Sequence, residues 1–207
     1  MSPGATMQRV YLDLKARILS GAYPPGTRLD AANLARTLAA SATPVRDALY
    51  RLSGERIIES WHLEGFRQPQ LTEADLVALY RWAGDLLALA LRGRVPRPDQ
   101  PGGLVEIETH ADYADSIDTL FRTIASGHPN GELRFAIVNV VERSAIFRKI
   151  EARVDEGAHD ALKAMVEDYR FGRGSALRSK ITRFHGRRAR LAGRVAAEMK
   201  RRTEPLR

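Results

Sequence analysis

The sequence predicts a mainly α-helical protein in two parts: three short helices with a β-hairpin, then an all-helical bundle. Three observations carry this. Apolar residues recur at helical spacing through most of the 207 residues. Proline and glycine clusters cut that pattern into segments. The charge balance changes near residue 70. Residues 1–70 hold 9 basic and 6 acidic side chains, residues 71–169 hold 11 and 17, and residues 170–207 hold 13 and 2. The first change coincides with Gln68-Pro69-Gln70, which places domains at 1–70 and 71–207.

In the head, Val10, Leu14, Ile18 and Leu19 mark a first helix that stops at Gly21. Pro24-Pro25-Gly26 forces a turn. Asp30 is placed to cap a second helix bearing Leu34 and Leu38. Thr43-Pro44 reads as an N-cap followed by proline at the first helical position, and opens a third helix that runs to about Gly54. Val45, Ala48, Leu49 and Leu52 face inward there. Ile57 to Trp61 and Phe66 to Gln68, joined by a turn at His62 to Gly65, read as a hairpin.

Three helices and a hairpin make the winged helix-turn-helix plan, in which the third helix enters the DNA major groove by its N-terminus. Ser41, Thr43 and the free amides of its first turn suit phosphate oxygens. Arg46 lies on the polar side of that turn and can reach base edges or phosphates. Gly65 lets the wing approach the duplex closely. Arg28 contacts either phosphate or the neighbouring domain, and Arg51 faces either solvent or phosphate.

Ile18-Leu19-Ser20-Gly21, Pro25-Gly26-Thr27-Arg28-Leu29, Leu34-Ala35, Ser41 to Leu49 and Arg51-Leu52 fall in one order over residues 8–68. In this the head resembles the DNA-binding domain of GntR-family transcriptional regulators. That family usually reads Gly-Val-Ser-Arg-Thr-Pro-Val-Arg-Glu. Here Ala39 and Ala40 replace Gly-Val, and Ala42 replaces an arginine that usually contacts DNA. Glu64 puts a negative charge on the wing.

After residue 70, Thr72-Glu73-Ala74-Asp75 starts a helix that runs to about Arg92. A Pro/Gly-rich loop covers 93–103. Residues 105–126 are helical in pattern, 133–150 form one long amphipathic helix, Leu162, Met165 and Val166 mark another, and 175–202 the last. This bundle resembles the FCD-type effector domain found in one GntR subfamily. Leu71 to Leu76 matches its opening, and Asp118-Thr119-Leu120-Phe121-Arg122 matches a motif that normally ends Phe-His. The resemblance implies a pocket that commonly holds a metal on one aspartate and three histidines. Asp118, His159 and His185 match three of those places. Arg122 replaces the fourth, and Ala83 and Leu87 stand where the family has arginine and glutamate. A guanidinium has no lone pair to give a metal. At i+4, Arg122 instead ion-pairs with Asp118 or binds an anionic effector directly. A zinc-like ion on Asp118, His159 and His185 stays open as an alternative.

The expected function is a cytoplasmic, homodimeric, sequence-specific DNA-binding regulator whose helical domain senses a small carboxylate. One alternative is a regulator with a vestigial pocket, or one controlled by a protein partner. A remoter alternative is a metal-dependent enzyme. The absence of cysteine excludes Cys-based zinc fingers, iron–sulfur sites and thiol nucleophiles. No Gly-rich phosphate loop, nucleophile elbow or His-Glu-x-x-His helix is present. No apolar run approaches the ~20 residues that span a bilayer. His62, His110 and His128 lie in turn or loop contexts and carry no signal. Arg178, Arg183, Arg187, Arg188, Arg190, Arg194, Lys200, Arg201 and Arg202 make a basic tail that is expected to complement the acidic middle rather than DNA.

Overall fold

The computed structural model describes residues 3–61, 64–92 and 112–203. The chain falls into two compact units, Met1–Leu71 and Thr72–Arg207. The first holds α1 (Pro3–Leu19), β1 (Arg28–Leu29), α2 (Ala31–Thr37), α3 (Ala42–Gly54), β2 (Glu59–Trp61) and β3 (Gly65–Arg67). The second holds α4 (Glu73–Ala90), α5 (Tyr113–Ser126), α6 (Gly131–Ser144), α7 (Arg148–Val154), α8 (Ala158–Arg170) and α9 (Gly174–Thr203). This is the winged helix-turn-helix plus helical bundle that the periodicity predicts.

The core of the first unit is the predicted apolar set: Val10, Leu14 and Ile18 of α1 meet Val45, Leu49 and Leu52 of α3. Asp30 caps α2 by accepting a hydrogen bond from the Asn33 amide at 2.8 Å. Gly21 closes α1 in the left-handed region at φ 81°. Two details correct the sequence reading. The cap of α3 is Ser41, not Thr43, so Pro44 is the third helical residue. That costs nothing, because the first four amides of a helix have no helical acceptor. The sheet also has a third strand, the two-residue β1, in the order β1-β3-β2. Two residues are too few to show an alternating pattern. The predicted turn at His62-Leu63, the loop 93–103 and residues 105–111 lie outside the described residues.

The second unit opens with a capping box. The Thr72 hydroxyl accepts from the Asp75 amide at 3.2 Å, and the Asp75 carboxylate accepts from the Thr72 amide at 2.9 Å. Helices α4 and α9 pack along one another, α5 packs on α6, and α8 packs on α9. The close approach of α4 to α9 depends on Gly84, where a Cβ would stand 2.9 Å from Cβ of His185. The long helix expected over 133–150 is broken. A 3-10 turn at Ala145–Phe147 separates α6 from α7. Just before it, the Ser144 hydroxyl donates to the Val140 carbonyl at 2.7 Å. This kind of local bond competes with helix continuation. Among the described residues, no helix is long and apolar enough to cross a membrane.

Two predictions follow from the first unit. The α2 C-terminus ends in a Schellman-type turn, with the Ala40 amide donating to the Ala35 carbonyl at 3.0 Å. Ala39 is held there at φ 46°, a conformation that suits glycine. Ala39→Gly therefore raises stability by about 0.5–1 kcal/mol in urea unfolding; a loss would contradict the turn. The second concerns Glu55, which ties α3 to α1. Its carboxylate accepts from the Tyr11 hydroxyl at 2.7 Å and the Lys15 ammonium at 2.9 Å. Burial alone would raise the carboxyl, but the Tyr11 and Lys15 hydrogen bonds and the Lys15 and Arg51 charges hold it below its ordinary 4.5. A carboxyl depressed in the folded state adds stability above its unfolded value, lost as pH falls through the folded one. Melting curves below about pH 4.5 should show this loss, and Glu55→Gln should flatten it.

Candidate functional site

Helix α3 buries Val45, Ala48, Leu49 and Leu52. Its opposite side carries Thr43, Arg46, Asp47 and Tyr50, all exposed, at the i, i+3, i+4, i+7 spacing of one helix face. Arg46 makes no hydrogen bond or ion pair with another described residue. Ser41 caps the helix by backbone geometry, but its hydroxyl makes no capping bond. It therefore remains available beside the open first-turn amides. Tyr50, 64% exposed, is a residue the sequence reading missed. Its ring stands edge-on to Phe66 of β3 at 5.0 Å, so the exposed face of α3 continues to the sheet. Its i+4 distance from Arg46 was the available signal.

Arg51 does not join that face. Its guanidinium stacks over the Tyr11 ring at 3.7 Å, and its Nε donates to Glu55 at 3.3 Å. It points along the α1 side of the helix and holds the unit together. Arg28 is exposed on β1, directly across the sheet from Arg67. Like charges opposite one another repel unless something answers them. Arg67 has an answer: it pairs with Glu64 at 2.7 Å and lies over the Trp61 ring. The negative charge expected at the wing is thus neutralised locally. Arg28 has no partner among the described residues. Gly65 begins β3 at φ 84°, a value that only glycine adopts without strain.

In the helical unit, Arg122 pairs with Asp118 at 2.5 Å, as i+4 spacing predicts. It also meets Glu142 of α6 at 3.4 Å, which sequence spacing could not reveal. Burial disfavours the Arg122 charge, but the Asp118 and Glu142 carboxylates outweigh it and raise its pKa. Arg122 is thereby already balanced by two carboxylates.

The four residues named for an effector or metal do not converge. His159 is exposed, with its ring 5.2 Å from the Tyr113 ring. His185 is buried, and its Nδ1 is 3.3 Å from the Arg188 guanidinium. Burial first, then the Arg188 and Arg148 charges, hold the His185 pKa well below its ordinary 6.5. Among the described residues, no group of three or more His, Asp or Glu is arranged to hold a metal. Two guanidinium groups beside His185 and one on Asp118 would repel a divalent cation. The donor set of Asp118, His159 and His185 therefore does not fit a metal ion.

The interior is occupied instead by charges that the sequence reading did not place. Glu151 of α7 accepts from the Tyr80 hydroxyl at 2.7 Å and from Arg188 at 2.5 Å. Arg148 is fully buried, and among the described residues it has one hydrogen bond, to the Val141 carbonyl at 3.1 Å. Burial, then Arg188, lowers its pKa to about 10. Part of the basic tail does meet the acidic middle: Arg187 pairs with Asp155 at 2.8 Å and Lys180 with Asp168 at 2.7 Å. Arg178, Arg183, Arg190 and Arg194 stay exposed.

Residues 6–67 match the family model for bacterial regulatory proteins of the gntR family. The chain is 31% identical over 140 residues to the HTH-type transcriptional regulator McbR of Escherichia coli, which spans 66% of this chain and 58% of McbR. It is 28% identical over 90 residues to the HTH-type transcriptional regulator YdhC of Bacillus subtilis, spanning 44% of this chain and 40% of YdhC. The chain thus matches less than two thirds of either relative's length. The solved structure of McbR superposes with a TM-score of 0.68 at 20% identity, over 91% of this chain and 97% of McbR. A GntR-type regulator from Rhodococcus sp. RHA1 superposes with a TM-score of 0.75 at 17% identity, over 91% of this chain and 97% of that one. The head of this chain, residues 6–67, is thus similar to the DNA-binding domain of the gntR family of bacterial regulatory proteins.

Proposed function

We propose that the protein is a transcriptional regulator that binds operator DNA as a homodimer. In this reading the exposed face of α3 enters the major groove, and the helical unit acts as an FCD-type module that senses a small anion. The observation that carries it is Arg46: an exposed guanidinium without a partner among the described residues, on the first turns of the third helix of a winged domain. Ser41 and Thr43 supply phosphate contacts beside it, and Arg28 and Gly65 do so from the sheet. Arg51 drops out of the DNA-contacting set, because Tyr11 and Glu55 hold it.

Dimerisation is supported by recognition arithmetic, since one short helix reads too few base pairs for specificity. It is also supported by the apolar side chains that the helical unit leaves exposed. Trp82 and Leu89 lie seven residues apart on α4, and Phe135 lies on α6, which packs against α4. The similar proteins are transcriptional regulators.

Anisotropy titration against DNA from upstream of the protein's own gene tests the interface. Arg46→Ala should weaken binding by ~1–3 kcal/mol and relax base preference, or weaken all sequences alike and lower the salt slope by about one unit if Arg46 holds phosphate. Unchanged affinity would remove α3 from the interface. A second variant adds charge instead of removing it. Ala42 is the first residue of α3, where the family's arginine would stand. Ala42→Arg should give tighter, more salt-sensitive binding. Weaker binding at low salt would mean that the helix docks differently.

A further inference from the structure

Helix α9 carries two rows of cations, and the described residues answer only one of them. The inner row meets carboxylates of α7, α8 and their connection: Arg188 pairs with Glu151, Arg187 with Asp155, and Lys180 with Asp168. Those three carboxylates are thereby committed. The outer row is Arg183, Arg190 and Arg194, at the i, i+7 and i+11 spacing of one helix face. All three are exposed, and none has a hydrogen-bond or ion-pair partner among the described residues. Arg201 continues the same face and pairs with Glu198, the one acidic residue of α9. Between the arginines that face carries small side chains, Gly186 and Ala197, so the guanidinium groups stand out from it. The Arg190 guanidinium lies across Gly186, where an added Cβ would stand 3.8 Å from Nη1. Arg190 and Arg194 are like charges four residues apart, an arrangement that disfavours the helix until an anion answers it.

We propose that the outer row of α9 is a second DNA-contacting surface, which grips the phosphate backbone of duplex DNA and reads no sequence. The row is about 16 Å long at the rise of an α-helix, and a duplex presents one phosphate per about 1.7 Å of its axis. A guanidinium meets phosphate oxygens through paired hydrogen bonds, and arginines on one face can do so together. Base edges lie beyond reach of this argument, because an exposed row with no shaped recess beside it favours the backbone. The inference rests on the DNA-binding reading of the winged head and extends it to the helical unit. It also divides the basic tail by function. Lys180, Arg187 and Arg188 hold α9 to the acidic middle, while Arg183, Arg190 and Arg194 are left for a polyanion.

The test is anisotropy titration of the full chain against two duplexes of about 60 bp, one from upstream of its own gene and one of scrambled sequence, between about 50 and 200 mM salt. The triple variant Arg183→Gln, Arg190→Gln, Arg194→Gln should lower the salt slope by about two to three units and weaken both duplexes alike, by about tenfold or more at the low-salt end. Its preference for upstream over scrambled DNA should match the parent's, and it should melt with the parent, since no described residue pairs with the three side chains. The triple replacement by lysine is the second variant: it keeps the charge and should keep the slope. Arg46→Ala separates the two surfaces, because it should cost operator affinity while leaving the α9 contribution to the slope in place. A parent slope in the glutamine variant would overturn the proposal and leave the row to solvent or to an acidic protein surface. Loss of the slope in the lysine variant, or a loss confined to the upstream duplex, would also overturn it. A parent that binds both duplexes equally, with a slope that falls in the glutamine variant, supports this surface and removes the operator reading of the head. A parent that binds neither duplex overturns both.

Discussion

Burying an arginine inside a protein costs free energy unless a carboxylate meets it, and the helical unit buries two around Glu151. Three helices depend on that meeting. Glu151 comes from α7, Arg188 from α9, and the Tyr80 hydroxyl from α4. The geometry requires α4 and α9 to lie close together, and Gly84 permits it, since any side chain there would strike His185. Arg188 also lies over the Tyr80 ring at 4.2 Å, so the same guanidinium is held by a charge and by a π face. Burial and Glu151 keep the Tyr80 hydroxyl protonated well beyond its ordinary range, which preserves it as the donor to Glu151.

The first unit handles its charges in the opposite way. Its buried stripe is apolar, and the one partly buried ionic cluster, Tyr11, Lys15, Arg51 and Glu55, sits between α1 and the end of α3. That cluster takes Arg51 away from the exposed side of α3. What remains there is Thr43, Arg46, Asp47 and Tyr50, with Arg28 and the Glu64–Arg67 pair on the sheet. A surface with few committed donors suits a polyanion whose contacts form only on binding. The two units differ in their interiors: the head buries an apolar stripe, and the helical unit buries Arg148, Glu151 and Arg188.

Features fixed by a few neighbouring residues were legible in the sequence. The Asp30 cap, the Thr72–Asp75 capping box, the left-handed Gly21 and the Arg122–Asp118 pair each depend on residues within four positions. The apolar stripe of α3 was legible for the same reason. Features that depend on distant partners were not. Nothing in Arg148-Lys149-Ile150-Glu151 marks which charged residues turn inward; that is decided by Tyr80 and Arg188, 71 and 37 positions away from Glu151. Glu142 on Arg122 was hidden likewise. The break between α6 and α7 escaped notice because the apolar residues keep their spacing through the 3-10 turn. Motif order placed His159 and His185 in one pocket, yet α8 leaves His159 exposed while α9 buries His185 between aromatic rings.

The central claim is that positive charge from arginine, not a metal, organises the interior of the helical unit. The most direct measurement is an experimental electron-density map of the full protein, purified without chelator, with anomalous data collected for bound metals. The account predicts Glu151 bonded to Tyr80 and Arg188, with Arg122 still paired to Asp118 and Glu142. A metal ion coordinated by Asp118 and His185, with Arg122 swung away, would contradict it.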